Sequence, residues 1–132
     1  MINNRGYTLL ELIVVISIIA LLIAGGVATY SQLMKQSRDG RRKADLENIR
    51  GALEMYRSNN GSYPAALSLL TGSPKYLQSV PADPRSPTYT YYYTGSSSDY
   101  TLGAYLESST AGGCGVSCTG ATCNYCVGPY GQ

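Results

Sequence analysis

The sequence predicts an α+β fold: a long N-terminal α-helix whose apolar half protrudes, packed in its second half on a small antiparallel β-sheet. Three observations carry this. An apolar run fills Leu9 to Ala28, LLELIVVISIIALLIAGGVA. Further on, Leu46, Ile49, Leu53 and Tyr56 recur at spacings of three and four, an apolar stripe on a polar helix. Finally, TYTYYYT (Thr88–Thr94) and DYTLGAYLE (Asp99–Glu107) alternate on either side of Gly95-Ser96-Ser97-Ser98, which reads as a β-hairpin over 88–107.

The apolar run of 20 residues is about 30 Å long as a helix, the thickness of a bilayer's hydrocarbon core. Glu11 and Ser17 are its strongly polar interruptions, and apolar residues occupy every face. No single soluble surface buries such a helix. The helical pattern then continues to a stop at Asn60-Gly61, with Pro64 just beyond. Gly25-Gly26 is the place where such a helix would bend, since each Gly costs about 1 kcal/mol against Ala. The 72 residues after Asn60 suffice for a sheet over the second half of the helix and not over the first. The apolar half is therefore left for lipid or for identical helices of neighbouring subunits. A head-to-tail packing that does not close gives an open helical filament.

A chain of 132 residues leaves room for one domain. Its 10 Lys and Arg against 8 Asp and Glu give a net charge of +2, too balanced for a dedicated nucleic-acid binder. There is no His and no Trp, and all 13 aromatic residues are Tyr. Without His, a nucleophile would need Lys or a carboxylate as its base. Ser96 to Ser98 beside Asp99 reads as a turn, and Gly112-Gly113 lacks the Lys of a phosphate-binding loop. No enzyme, cofactor or metal is expected.

The chain begins with a short basic leader, MINNRG, and no A-x-A-like site follows the apolar run. Glu11 stands five residues beyond Gly6. A carboxylate inside an apolar span costs about 2.5–3.5 kcal/mol and marks a functional site by default. It calls for a positive partner, which the segment does not supply by side chain.

RGYTLLELIVVISIIALLIAG resembles the leader and first helix of type IV prepilins and type II secretion pseudopilins, and a looser likeness continues through NGSYP (Asn60–Pro64) and VPADP (Val80–Pro84). The resemblance implies a pilin-like lollipop: a cleaved leader at 1–6, a long helix at 7–60 with its transmembrane or filament-core segment at 9–28, and a head at 61–132. It implies a cut by a prepilin peptidase between Gly6 and Tyr7, and N-methylation of Tyr7, where relatives usually have Phe or Met. Glu11 takes the place of the acidic fifth mature residue. The new amine of Tyr7 would pair with Glu11 of the same chain or of a neighbour, setting register between subunits, because an unpaired buried charge is heavily penalised. The implied partners are identical subunits, the peptidase, an assembly ATPase and an inner-membrane platform. The implied location is the cytoplasmic membrane, N-terminus inside and head outside, and then an extracellular or periplasmic filament.

Cys114, Cys118, Cys123 and Cys126 lie in a Gly-rich C-terminal loop, 112–132, with spacing C-x3-C-x4-C-x2-C. The inner gap is too short for paired zinc knuckles, which use about 12–20 residues. Two disulfides of an exported head are expected. Three connectivities are open; a nested one would suit a hairpin turning at Thr119-Gly120-Ala121-Thr122. Secretion-type major pseudopilins further resemble one another in a calcium loop. Its acidic cluster is missing here, where the late region offers Asp83, Asp99 and Glu107. That departure puts a type IV pilus-like subunit first, for adhesion, motility, DNA uptake or secretion. A major pseudopilin, or a minor tip subunit that adheres or binds DNA, comes second.

Lys35, Arg38, Arg41, Arg42 and Lys43, against Asp39, pull the other way. A count of flanking positive charges would put the head in the cytoplasm. The cysteines and the resemblance put it outside. These charges are expected to form a solvated helix face with little pairing, or else a contact with a neighbouring head or a weak surface for DNA.

Overall fold

The computed structural model describes residues 6–110 and 112–131. In chain order the elements are α1 (Leu9–Asn60), a 3-10 turn (Leu67–Thr71), β1 (Tyr92–Gly95), β2 (Tyr100–Ala104), β3 (Ser117–Cys118), β4 (Ala121–Thr122) and β5 (Tyr125–Val127). The chain is α+β, a long N-terminal helix with a small antiparallel sheet, as the sequence predicts. It forms two compact units, one ending at Met34 and the other beginning at Lys35.

In the first unit the apolar side chains of α1 stand in the open: Leu9 is 75% exposed and Leu22 72%. The segment is long and apolar enough to cross a membrane. Its polar side chains turn back onto the helix. Ser17 Oγ donates to the Ile13 carbonyl at 2.7 Å and Thr29 Oγ1 to the Gly25 carbonyl at 3.3 Å. Each hydroxyl is thereby satisfied four residues back, as an apolar surrounding demands. Gly25 and Gly26 keep helical conformation.

In the second unit the predicted stripe becomes the core. Leu46, Ile49, Ala52 and Leu53 are buried against Tyr63, Leu70, Tyr100, Leu102, Ala104 and Val127. Each fully buried Leu or Ile contributes about 1.5–3 kcal/mol, enough to fix a short sheet on one helix face. The sheet order is β1-β2-β5, all antiparallel. Central β2 pairs Leu102 with both Tyr93 and Val127.

The predicted hairpin is present but narrower than 88–107. Tyr92 to Gly95 pairs with Tyr100 to Gly103, whereas Thr88 and Tyr89 turn back to the Arg85 carbonyl through their N–H groups, and Thr90 and Tyr91 are held by side chains. Thr90 Oγ1 donates to Thr119 Oγ1 at 2.7 Å, and the Tyr91 hydroxyl donates to Asp45 Oδ2 at 2.7 Å. The third strand comes from the cysteine segment. Burial pushes the Tyr93 phenol up to about 12; its hydroxyl donates to the Pro64 carbonyl at 2.6 Å.

The cysteines form Cys114–Cys126 and Cys118–Cys123, the nested pattern. Cys118–Cys123 closes the β3–β4 hairpin, whose turn is Thr119-Gly120. Gly120 has φ +82°, and a Cβ there would run into the Thr88 carbonyl oxygen, so no larger residue fits. Gly103 serves a different end: a Cβ on it would meet Cys123 Sγ at 3.0 Å and Cys126 Sγ at 3.1 Å. The bare backbone of β2 lets both bridges lie on the sheet. Loops this short are worth about 2–3 kcal/mol each when closed. Reduction of the native chain is therefore expected to open residues 112–131 to protease first. An unchanged digestion pattern would show that the bridges do not staple this segment.

Candidate functional site

Two places carry chemistry, one in each unit. The first is the N-terminal end of α1. Gly6 and Tyr7 precede the helix, and Tyr7 is 90% exposed. A Cβ on Gly6 would meet nothing within 4 Å, so folding does not require glycine there. Arg5 lies outside the described residues. Glu11 is engaged by Thr8: the Thr8 backbone N–H donates to Glu11 Oε2 at 3.0 Å and the Thr8 hydroxyl at 2.9 Å. In return the Glu11 N–H donates to Thr8 Oγ1 at 3.2 Å. This is a reciprocal capping box, satisfying backbone groups that the first helical turn leaves open. Sequence reasoning passed over Thr8, although T-x-x-E before an apolar run is the local signal for this arrangement. Glu11 thus has a partner in the uncut chain, with no positive charge needed.

The second place corrects the expectation of a solvated basic face. Arg42 is fully buried. Its Nε and Nη2 donate to the two oxygens of Asp83 at 2.7 and 3.0 Å, and its Nη1 donates to Asp39 Oδ1 at 2.8 Å and Glu107 Oε1 at 2.9 Å. Arg38 grips Glu107 through Nε and Nη2 at 2.8 and 2.7 Å. Arg85 Nη1 reaches Glu107 Oε2 at 3.3 Å. Asp39 also accepts the backbone N–H of Glu107 at 2.9 Å, the N–H of Ser108 at 2.8 Å and the Ser108 hydroxyl. Three guanidinium groups thus face three carboxylates. The Tyr89 ring lies beneath Arg42 and Arg85, with centroid distances of 5.7 and 5.3 Å. Lys35, Arg41 and Lys43 stay exposed, the last with Nζ 5.5 Å from the Tyr125 ring centroid.

The electrostatics follow from those contacts. Arg38, helped by Arg42, holds Glu107 well below the usual carboxylate range, at about 2, against the pull of burial. Burial would raise Asp39, but the Ser108 hydroxyl, two backbone N–H groups and Arg42 outweigh it and hold the acid low. Burial likewise opposes the charge on Arg42, and Asp83, Glu107 and Asp39 more than restore it. For a depressed acid, the stability gained is complete above the unfolded pKa and lost as pH falls through the folded one. The Glu107 contribution is thus expected to fade between about pH 4.5 and 2. Glu107→Gln should cost about 3 kcal/mol at pH 7, as for a broken buried pair, and flatten the acid limb. Thermal melts across that range check both.

The calcium loop implied for secretion-type subunits does not fit these residues. Asp39, Asp83 and Glu107 are committed to guanidinium and backbone N–H groups. Asp99 Oδ1 accepts the Tyr100 N–H at 2.8 Å in the hairpin turn. Among the described residues, no group of three His, Cys, Asp or Glu side chains is placed to hold a metal. All four cysteines are in disulfides, so none is a thiolate ligand.

Residues 1–27 match the model of the prokaryotic N-terminal methylation motif, which sets the chain among type IV pilins and type II secretion pseudopilins. Residues 30–119 match the model of type II secretion system protein G. The chain belongs to that family. It is 32% identical to the type II secretion system core protein G of Pseudomonas aeruginosa over 120 residues, covering 77% of this chain and 84% of the relative. The core protein G of Klebsiella pneumoniae is 30% identical over 66% of this chain and 73% of its own length. That of Escherichia coli is 29% identical over 76% and 79%. No solved structure gives a significant match. These likenesses reverse the order expected from the missing acidic cluster: the secretion-type subunit comes first and the pilus subunit second.

Proposed function

We propose that this chain is the major pseudopilin of a type II secretion system. Leu9 to Ala28 holds it in the cytoplasmic membrane until a prepilin peptidase cuts between Gly6 and Tyr7 and methylates the new amine. The subunit then polymerises with identical copies through its apolar helix, with an assembly ATPase and a membrane platform as partners. It is a structural part, not an enzyme.

The observation that carries this reading is the family match over 30–119, joined to a methylation motif over 1–27. Orientation with the head outside is supported by two bridges that need an oxidising compartment. It is further supported by Arg38 and Arg42, whose charges are met inside the head; this weakens the argument from flanking charge. Disrupting the gene in its source bacterium tests the proposal. Exported proteins should accumulate in the periplasm, and the intact gene should restore their release. Normal release with loss of surface fibres or DNA uptake would favour the pilus reading instead.

A further inference from the structure

We propose that Arg42 is the resident cation of the head: it supplies among three carboxylates the positive charge that a divalent ion would otherwise have to supply, and makes this head independent of calcium. The inference goes beyond the secretion role, since a calcium-free head is compatible with any filament.

Three carboxylates from distant segments converge on one guanidinium. Asp39 comes from α1, Asp83 from the connection between the 3-10 turn and β1, and Glu107 from the chain just after β2. Their side chains are 6%, 1% and 7% exposed, and that of Arg42 is 0% exposed. Buried carboxylates without a counter-charge would repel one another and lose their hydration, an expensive arrangement in a folded head. A bound divalent cation offers one solution, gathering oxygens from several segments. A guanidinium offers another. Its five donors form a planar fork that satisfies carboxylates in fixed directions, and it never loses its charge. Arg42 spends its Nε, Nη1 and Nη2 in this way, two of them on both oxygens of Asp83. Arg38 and Arg85 then complete the neutralisation of Glu107. The cation is thus carried on the helix itself, and the loops that a metal would order are ordered by the chain.

Thermal unfolding of the full chain in detergent, followed by its near-ultraviolet tyrosine signal, tests this. The wild-type midpoint should be the same to within about 1 °C in excess EDTA and in millimolar calcium chloride, since a ligand of the native state would raise it. A midpoint that falls in EDTA overturns the proposal. Arg42→Ala should lower the midpoint by about 10 °C or more in EDTA. A folded Arg42→Ala chain that melts like wild type overturns the proposal.

If Arg42→Ala folds in neither medium, the combination of Arg42→Met with Asp39→Asn, Asp83→Asn and Glu107→Gln decides. Removing both signs of charge should restore a folded head that ignores calcium, which supports an electrostatic role. A combination that also fails to fold counts against it.

Discussion

Glu11→Ala is expected to leave the chain in the membrane and still cut after Gly6, yet to lower the yield of assembled filament at least about ten-fold. Two roles for Glu11 predict this loss, and the structure makes them separable. In the uncut chain the carboxylate caps the helix through Thr8, which is worth about 1 kcal/mol. After the proposed cut, a positive amine at Tyr7 lies one turn away, in surroundings where an unpaired charge costs several times more. Glu11→Gln keeps the capping geometry, since Gln reaches back to the same N–H as Glu, but it removes the negative charge. If charge pairing sets register between subunits, Glu11→Gln should fail as badly as Glu11→Ala. Wild-type filament yield from Glu11→Gln would mean that the cap suffices and the pairing does not operate. Sheared or cross-linked filaments quantified from cells expressing each variant give the answer.

What could be read from the sequence divides by how local the signal is. The apolar run and the stripe of Leu46, Ile49, Leu53 and Tyr56 are periodic within a few turns, and each side chain reports its own burial. The turn at Gly95 to Ser98 and the cysteine spacing are local in the same sense, so the hairpin and a nested bridge pattern were within reach. The capping box is equally local, since Thr8 stands three residues before Glu11. Arg42 is a different case. Its partners are 3, 41 and 65 residues away, and each is an ordinary acid in its own stretch. The helix carries both a charged face and a buried one, and composition does not say which face a given Arg joins. Strand β5 was missed for a related reason: Tyr125 to Val127 is three residues long and takes its strand character from β2. The acids Asp39, Asp83 and Glu107 are spread along the chain and gathered by an arginine, so no local run marks them.

Gly6→Val is expected to abolish processing altogether, leaving a full-length chain in the membrane and no filament. The substitution does not disturb the fold: a Cβ on Gly6 meets open space, and the residue lies ahead of the first turn of α1. Glycine there has no conformational duty that the structure reveals. The proposed role is recognition by a prepilin peptidase, which would bring backbone against its catalytic groups, where a branched side chain would get in the way. Intact mass separates the outcomes. The wild-type chain from a filament fraction should lack residues 1–6, carry one added methyl and have lost one hydrogen per cysteine. The Gly6→Val chain should keep its leader and gain no methyl, while its disulfides still form, as expected if the head is outside before the cut. Mature protein from Gly6→Val would move the cleavage site away from Gly6. It would also remove Tyr7 as the bearer of the amine, and with it the partner that Glu11 needs in the pairing argument. A leader retained together with free thiols would place the head on the cytoplasmic side, and the exposed Lys35, Arg41 and Lys43 would then have set the topology.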